Sequence, residues 1–213
     1  METKKYIEQT MGWPNQGRHI LANYNDETIS VYQAYAHEIA SYAVKNQKFG
    51  GAFSYSRMSW IKPNFLWMMY RSGWASKSGQ ENILEIVIPR QFFDEILEKA
   101  VSSTLLGKKN EWKKVLESSE VRLQWDPDHT PQGERVLRRA IQLGLRGNML
   151  KRYGQEEIVK INDITGFVIT QKNNMEQSMD ELSVPVEKVY VPNSKKAAEN
   201  IQLDHFTGTG RAM

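Results

Sequence analysis

The run Arg57-Met58-Ser59-Trp60-Ile61-Lys62-Pro63-Asn64 sets two cations just ahead of a proline that can open a helix. The free N–H groups of a first helical turn attract anions, so this spacing suits a phosphate or diphosphate. Its surroundings point the same way. Between Glu38 and Glu81 the chain carries no acidic residue, yet it holds Lys45, Lys48, Arg57, Lys62, Arg71 and Lys77. Phe49, Phe53, Tyr55, Trp60, Phe65, Trp67, Tyr70 and Trp74 are interleaved with them. Cations hydrogen-bond phosphate and aromatic faces accept a base, so the segment reads as a place for a planar, negatively charged ligand. The plainer alternative is an aromatic core with a solvated cationic rim. Arg71, at the end of the same helix, can equally serve to complement its C-terminus.

Gln124-Trp125-Asp126-Pro127-Asp128-His129 places two carboxylates beside one histidine, a set that can bind a metal or act as acid and base. No second cluster with ligand spacing lies nearby, and Asp-Pro-Asp after a strand reads as a turn, so no metal is expected. In Arg138–Gly147, strand alternation puts Arg139, Ile141, Leu143 and Leu145 on one face and Ala140, Gln142 and Gly144 on the other. Gln142 beside Gly144 then faces room for a ligand, or is an ordinary polar residue of a strand edge. The chain has no GxGxxG, P-loop, GxSxG or HExxH motif, which counts against kinase, P-loop NTPase and zinc-hydrolase readings.

The elements that must position these residues are short and mixed. Arg18–Ala22 and Ile29–Tyr35 read as strands around a turn at Asn23–Asp26, with a helix over Ala36–Asn46. Gly50–Gly51 interrupts the chain before a strand and turn over Ala52–Trp60. Pro63 opens a helix whose buried stripe is Phe65, Leu66, Met69 and Tyr70 and which ends near Gly73. Ile83–Ile88 is a strand, Phe92–Ser102 a helix and Glu111–Ser118 a weaker helix. Val121–Trp125 and Leu137–Leu145 are strands, Met149–Gln155 a helix and Ile158–Ile161 a strand edge. Gly166–Thr170 reads as strand, Lys172–Ser183 as a polar loop and Val184–Val191 as a late strand. This irregular alternation implies an α+β fold with a mixed or antiparallel sheet and flanking helices, in one globular domain over residues 1–192. Residues 193–213 read as a loosely held tail.

At 213 residues, 40% hydrophobic and 25% charged, the chain can bury a full core. A net charge of +3 permits a nucleotide or nucleic-acid partner without requiring one. With no cysteine there is no disulfide or thiolate chemistry. The polar N-terminus and the lack of a long apolar run imply a soluble, cytoplasmic protein that does not contact a membrane.

The string RMSWIKPNFLWMMYRSGWASKSGQE, with VYQAY before it and QWDPDH and IQLGLRG after it, resembles the domain-of-unknown-function 4291 family over about Arg18–Val191. That family name carries no activity. The order of features also resembles DarT-type ADP-ribosyltransferases, which move ADP-ribose from NAD to nucleic-acid bases. Val31-Tyr32-Gln33 stands where that family has a Tyr-His-type pair, Arg57 precedes the Pro63–Met69 helix, and Ala140-Ile141-Gln142-Leu143 takes the place of the late catalytic strand. This resemblance implies an ADP-ribosyltransferase-like fold that binds NAD and transfers ADP-ribose to a nucleic-acid base or a protein side chain. Arg57 and Lys62 would hold the diphosphate, with Arg71 and Tyr32 beside it and Trp60 or Tyr70 stacked on a ring. Gln33 would orient the nicotinamide ribose, and Gln142 or Glu134 would face the anomeric carbon. The departures are Gln33 where that family has histidine and Gln142 where it has glutamate. An amide can hold a ligand but cannot act as a general base. The alternative is a non-catalytic module for single-stranded nucleic acid or a nucleotide, and a third reading makes the aromatics mere core.

Overall fold

The computed structural model describes residues 1–104 and 109–204. Its elements, in chain order, are β1 (Thr3–Lys5), α1 (Tyr6–Thr10), β2 (Gly17–Arg18), β3 (Ile20–Ala22), β4 (Thr28–Tyr35) and α2 (His37–Asn46). Then come β5 (Ser59–Ile61), α3 (Phe65–Ser72), β6 (Asn82–Pro89), α4 (Arg90–Lys99), β7 (Ala100–Ser102) and α5 (Lys109–Ser118). The second half adds β8 (Val121–His129), β9 (Arg135–Leu145), α6 (Gly147–Gln155), β10 (Lys160–Asp163), α7 (Thr165–Gln177), β11 (Ser183–Pro185), β12 (Lys188–Tyr190) and α8 (Lys195–Asn200). The fold is α+β, and its sheets are mixed or antiparallel.

Two sheets carry the architecture. Strand β6 pairs antiparallel with both β4 and β10. Strands β8 and β9 form a long antiparallel hairpin, with β7 parallel to β8, and with β2 and β5 both on β9. Alternation along the β4–β6 pair divides the core. Ile29, Val31, Leu84, Ile86 and Ile88 point into the larger apolar cluster, shared with Leu123, Ile141 and Leu143 of the hairpin and with α2, α4 and α6. Tyr32 and Ile83 point the other way, into a second cluster under α3 and α7.

Several expectations need correction. The Asp126–His129 segment is not a turn: β8 runs through it with a register shift between Pro127 and His129. The chain reverses instead at 130–134, where Thr130 N–H donates to the Glu134 carbonyl and Gly133 N–H to that of Thr130. Proline is tolerated in β8 at this irregularity, where the ladder is already broken. Residues 166–170 and 172–177 are helix α7, neither strand nor loop; Ile164, Val168 and Gln171, one helical turn apart, are the buried set while Ile169 is exposed. A run of Val, Ile and Thr mimics a strand when helical burial picks out only every third or fourth residue.

Most of Ala52–Trp60 is loop, with strand only from Ser59. The Phe92–Ser102 helix stops at Lys99, and its last residues pass into β7. The late strand is split into β11 and β12. The described part of the expected tail is packed, with α8 placing Ala197 and Ile201 in the main core; residues 205–213 lie outside the described residues. No helix among the described residues is long and apolar enough to cross a membrane.

Candidate functional site

Strand β5 ties the two sheets together. On one side Ser59, Trp60 and Ile61 pair with Leu145, Gly144 and Leu143 of β9. One residue later, Lys62 forms a bridge to β4, with Tyr32 N–H donating to the Lys62 carbonyl at 2.7 Å and Lys62 N–H to that of Tyr32 at 3.3 Å. Alternation sends Ile61 into the core and leaves Trp60 against β9. Gly144 makes that packing feasible, because a Cβ there would lie 3.0 Å from Trp60 Cε2 and 2.6 Å from the Met58 sulfur. The sequence expectation of open room beside Gly144 is therefore wrong; Met58 and Trp60 fill it.

At this junction the structure opens a cleft of about 610 Å³. Gln33, Arg57, Trp60, Lys62 and Arg71 all line it, together with Tyr35 and Ser59, and none of the lining residues is Asp or Glu. The acid-free sequence segment thus becomes an acid-free surface. Arg57 and Arg71 are exposed on its rim, and the Arg71 guanidinium lies 6.0 Å from the centre of the Trp67 ring. Lys62 is different. It is only 6% exposed, and among the described residues its ammonium makes no hydrogen bond or ion pair. Burial, and next the charge of Arg71, pull its pKa down to about 8, against the opposing pull of Asp126.

Gln33 sits on the cleft wall at 3% exposure and is held on all sides. Its Nε2 donates to Tyr35 Oη and Ser59 Oγ, each at 2.8 Å, and lies 3.2 Å from the Trp60 carbonyl. Its Oε1 accepts from Tyr153 Oη of α6 at 2.8 Å. Tyr35 and Ser59 share a further 2.8 Å hydrogen bond. Burial raises the pKa of both phenols, so both stay protonated at neutral pH.

The remaining candidates lie elsewhere. Tyr32 is fully buried against Phe65 in the core under α3, off the cleft lining. Tyr70, 37% exposed, is stacked on His129 with ring centres 3.6 Å apart and is not part of the lining either. Its place in the expected buried stripe belongs to Trp67 and Met68. Gln142 donates from Nε2 to Gln124 Oε1 at 2.8 Å and to Asp126 Oδ2 at 2.7 Å, on the face of β8–β9 opposite the core. Glu134 is exposed at the hairpin tip. Neither residue lines the cleft.

The Asp-Pro-Asp-His set is dispersed as well. Asp128 pairs with Arg138 at 2.6 Å while Asp126 serves Gln142. No group of three or more His, Cys, Asp or Glu residues among the described residues could hold a metal.

The helix N-terminus offered to a phosphate is already filled. Asn64, not Pro63, caps α3, its Oδ1 accepting from Trp67 N–H at 2.6 Å. The buried Glu187 carboxyl accepts from Phe65 N–H at 2.6 Å and from Asn64 Nδ2 at 3.0 Å. Sequence reasoning missed Glu187, whose approach no local pattern signals. It also passed over Tyr35 and Ser59, which strand alternation about Gln33 and Trp60 could have brought forward.

Fold and cleft together define an α+β protein with a cationic, carboxylate-free pocket where two sheets meet. The chain belongs to the family described as Domain of unknown function (DUF4291), whose model matches residues 19–190. A comparison with curated proteins gives no match.

Proposed function

We propose that the cleft binds a nucleotide, with NAD as the ligand and transfer of ADP-ribose to a nucleic-acid base or a protein side chain as the reaction. The observation that carries the binding part is Lys62, a largely buried lysine that lines the cleft and whose ammonium has no hydrogen-bond or ion-pair partner among the described residues. An unpaired buried charge is costly, and a ligand phosphate is the kind of group that relieves it. Arg57 and Arg71 extend the positive rim, and the half-buried Trp60 ring supplies a face for a base or nicotinamide.

In the transfer, the glycosidic bond to nicotinamide breaks and the sugar carbon becomes cationic before the acceptor bonds to it, so a carboxylate nearby contributes most. Asp126 is the carboxylate whose field reaches Lys62, and it is hydrogen-bonded to Gln142. The absence of Asp and Glu from the lining favours a second reading, a nucleotide- or nucleic-acid-binding module without turnover. Calorimetric titration with NAD at two salt concentrations tests both. Micromolar, salt-tolerant binding that is lost in Lys62→Met supports the dinucleotide site. Binding only to single-stranded oligonucleotides, falling steeply with salt, supports the module. No heat with either removes the cleft as a nucleotide site.

A further inference from the structure

The hydrogen atoms around Gln33 can be counted. The Trp60 carbonyl lies 3.2 Å from one terminal atom of the Gln33 amide, so that atom is the NH2, since a second oxygen would be repelled there. The opposite atom is then the amide oxygen, and Tyr153 Oη must donate to it, which commits the Tyr153 hydrogen. On the NH2 side, Tyr35 Oη and Ser59 Oγ each lie 2.8 Å from Nε2 and take its two hydrogens, one of which is shared with the Trp60 carbonyl at 3.2 Å. The same two hydroxyls are 2.8 Å from each other, a bond that uses one of their two hydrogens. Among the described residues neither oxygen has another hydrogen-bond partner. One hydroxyl hydrogen is left over. Both side chains line the cleft beside Lys62 and Arg57.

We infer that the Tyr35–Ser59 pair is a binding element that donates one hydrogen bond to an acceptor oxygen of the bound ligand. The group it takes is a phosphoryl, carboxylate or carbonyl oxygen. Of the pair's four lone pairs Gln33 occupies two and the mutual bond a third, so a single acceptor position remains beside the free hydrogen. Tyr153, by fixing the Gln33 amide, is a positioning residue for this polarity. The inference rests on the reading of the cleft as a nucleotide site and adds the identity of the ligand atom at its inner wall.

The arrangement makes an unusual demand on mutants. Removing either hydroxyl alone frees the hydrogen of the other, so the single variants Tyr35→Phe and Ser59→Ala keep a donor and lose little affinity, within about threefold. The double variant has no hydroxyl donor and loses about tenfold or more, the usual weight of a hydrogen bond to a charged group. The experiment is calorimetry of wild type, both singles and the double with NAD and with ADP, and melting curves confirm the fold. Should the double fail to fold, the pair Tyr35→Phe/Ser59→Cys, which keeps the volume and substitutes a weak donor, replaces it. A double variant that binds as tightly as wild type, or singles that each show the full loss, overturns the inference while leaving the nucleotide site standing. A wild type that binds neither NAD nor ADP overturns both, and so is told apart.

Discussion

Phe65 N–H donates to the Glu187 carboxyl at 2.6 Å, closing the N-terminus of α3 with a residue 122 positions further along the chain. The positive end of that helix is thereby turned from a ligand site into a tertiary clasp. Glu187 also receives the Asn64 amide, and its own backbone accepts from Trp13 Nε1 and donates to Gln9 Oε1. One residue thus holds the N-terminal segment, through its backbone, and α3, through its carboxyl, to the β11–β12 connection. Phosphate binding is left to side-chain cations.

The clasp has a pH signature. Burial is the main cause that lifts the Glu187 pKa to about 8, outweighing the Phe65 N–H. An unfolded glutamate titrates near 4.3, so between those values the folded state holds a proton that the unfolded state has lost. Stability from this group is therefore fully present below about pH 4 and declines as pH rises toward 8, by at most about 1.4 kcal/mol per pH unit. Glu187→Gln should flatten that decline. Urea midpoints across pH 5 to 8.5 for both proteins check it; parallel curves would exclude Glu187 as the titrating group.

The Asp128–Arg138 pair should be far less forgiving than any surface bridge. Arg138 donates from Nε and from a terminal nitrogen to Asp128 Oδ2, donates to the Pro14 carbonyl, and lies 5.4 Å from the Trp13 ring centre. Both side chains are almost wholly buried. Asp128→Asn leaves the guanidinium uncompensated and should lower stability by about 3–5 kcal/mol. The exposed pair Lys113–Glu117 serves as control, and its loss should change stability by under about 0.5 kcal/mol. Chemical denaturation of both variants settles the comparison; equal small losses would mean that the Asp128 site is wetter than its burial indicates.

Leu66→Ala should lower stability by roughly 2–5 kcal/mol, since Leu66 is buried among Tyr32-side core residues under α3. Arg57→Ala, on the exposed rim, should leave the melting midpoint unchanged and weaken NAD binding about tenfold. A stability loss at Arg57, or none at Leu66, would reverse the assignment of core and rim.

That contrast also marks how far the sequence was legible. Composition separated the cationic rim from the acidic remainder, and it led to the cleft because a segment without carboxylates cannot neutralise its own cations locally. Alternation found β4, β6 and β9, where one face is buried and the register is strict. It did not find α7, where Val, Ile and Thr are read by a helix, nor the continuation of β8 through Asp126–His129. Glu187, Tyr153 and the dispersal of the Asp-Pro-Asp-His set arise from contacts between distant segments. The roles expected of Gln142, Glu134, Tyr32 and Tyr70 depended on such contacts too, and none of these residues lines the cleft.

Lys62 offers the sharpest test of the cleft. Its folded pKa, about 8, lies below the ordinary lysine value of 10.5 because burial and Arg71 penalise the charge. A bound phosphate favours the ammonium, so binding should draw a proton onto Lys62 when the pH is near or above 8. Affinity for NAD or ADP should consequently hold steady from pH 6.5 to 7.5. Above pH 8 it should fall, by up to about tenfold per unit, as the free protein loses its cation. Calorimetry in buffers of different ionisation enthalpy reads the proton directly, and uptake should appear at pH 8.5 and vanish in Lys62→Met. Because that substitution also removes an uncompensated charge, the variant should melt no lower than wild type at pH 7. A flat pH profile with no proton uptake, in a protein that nevertheless binds, would place the phosphate on Arg57 and Arg71 and leave Lys62 without a ligand role.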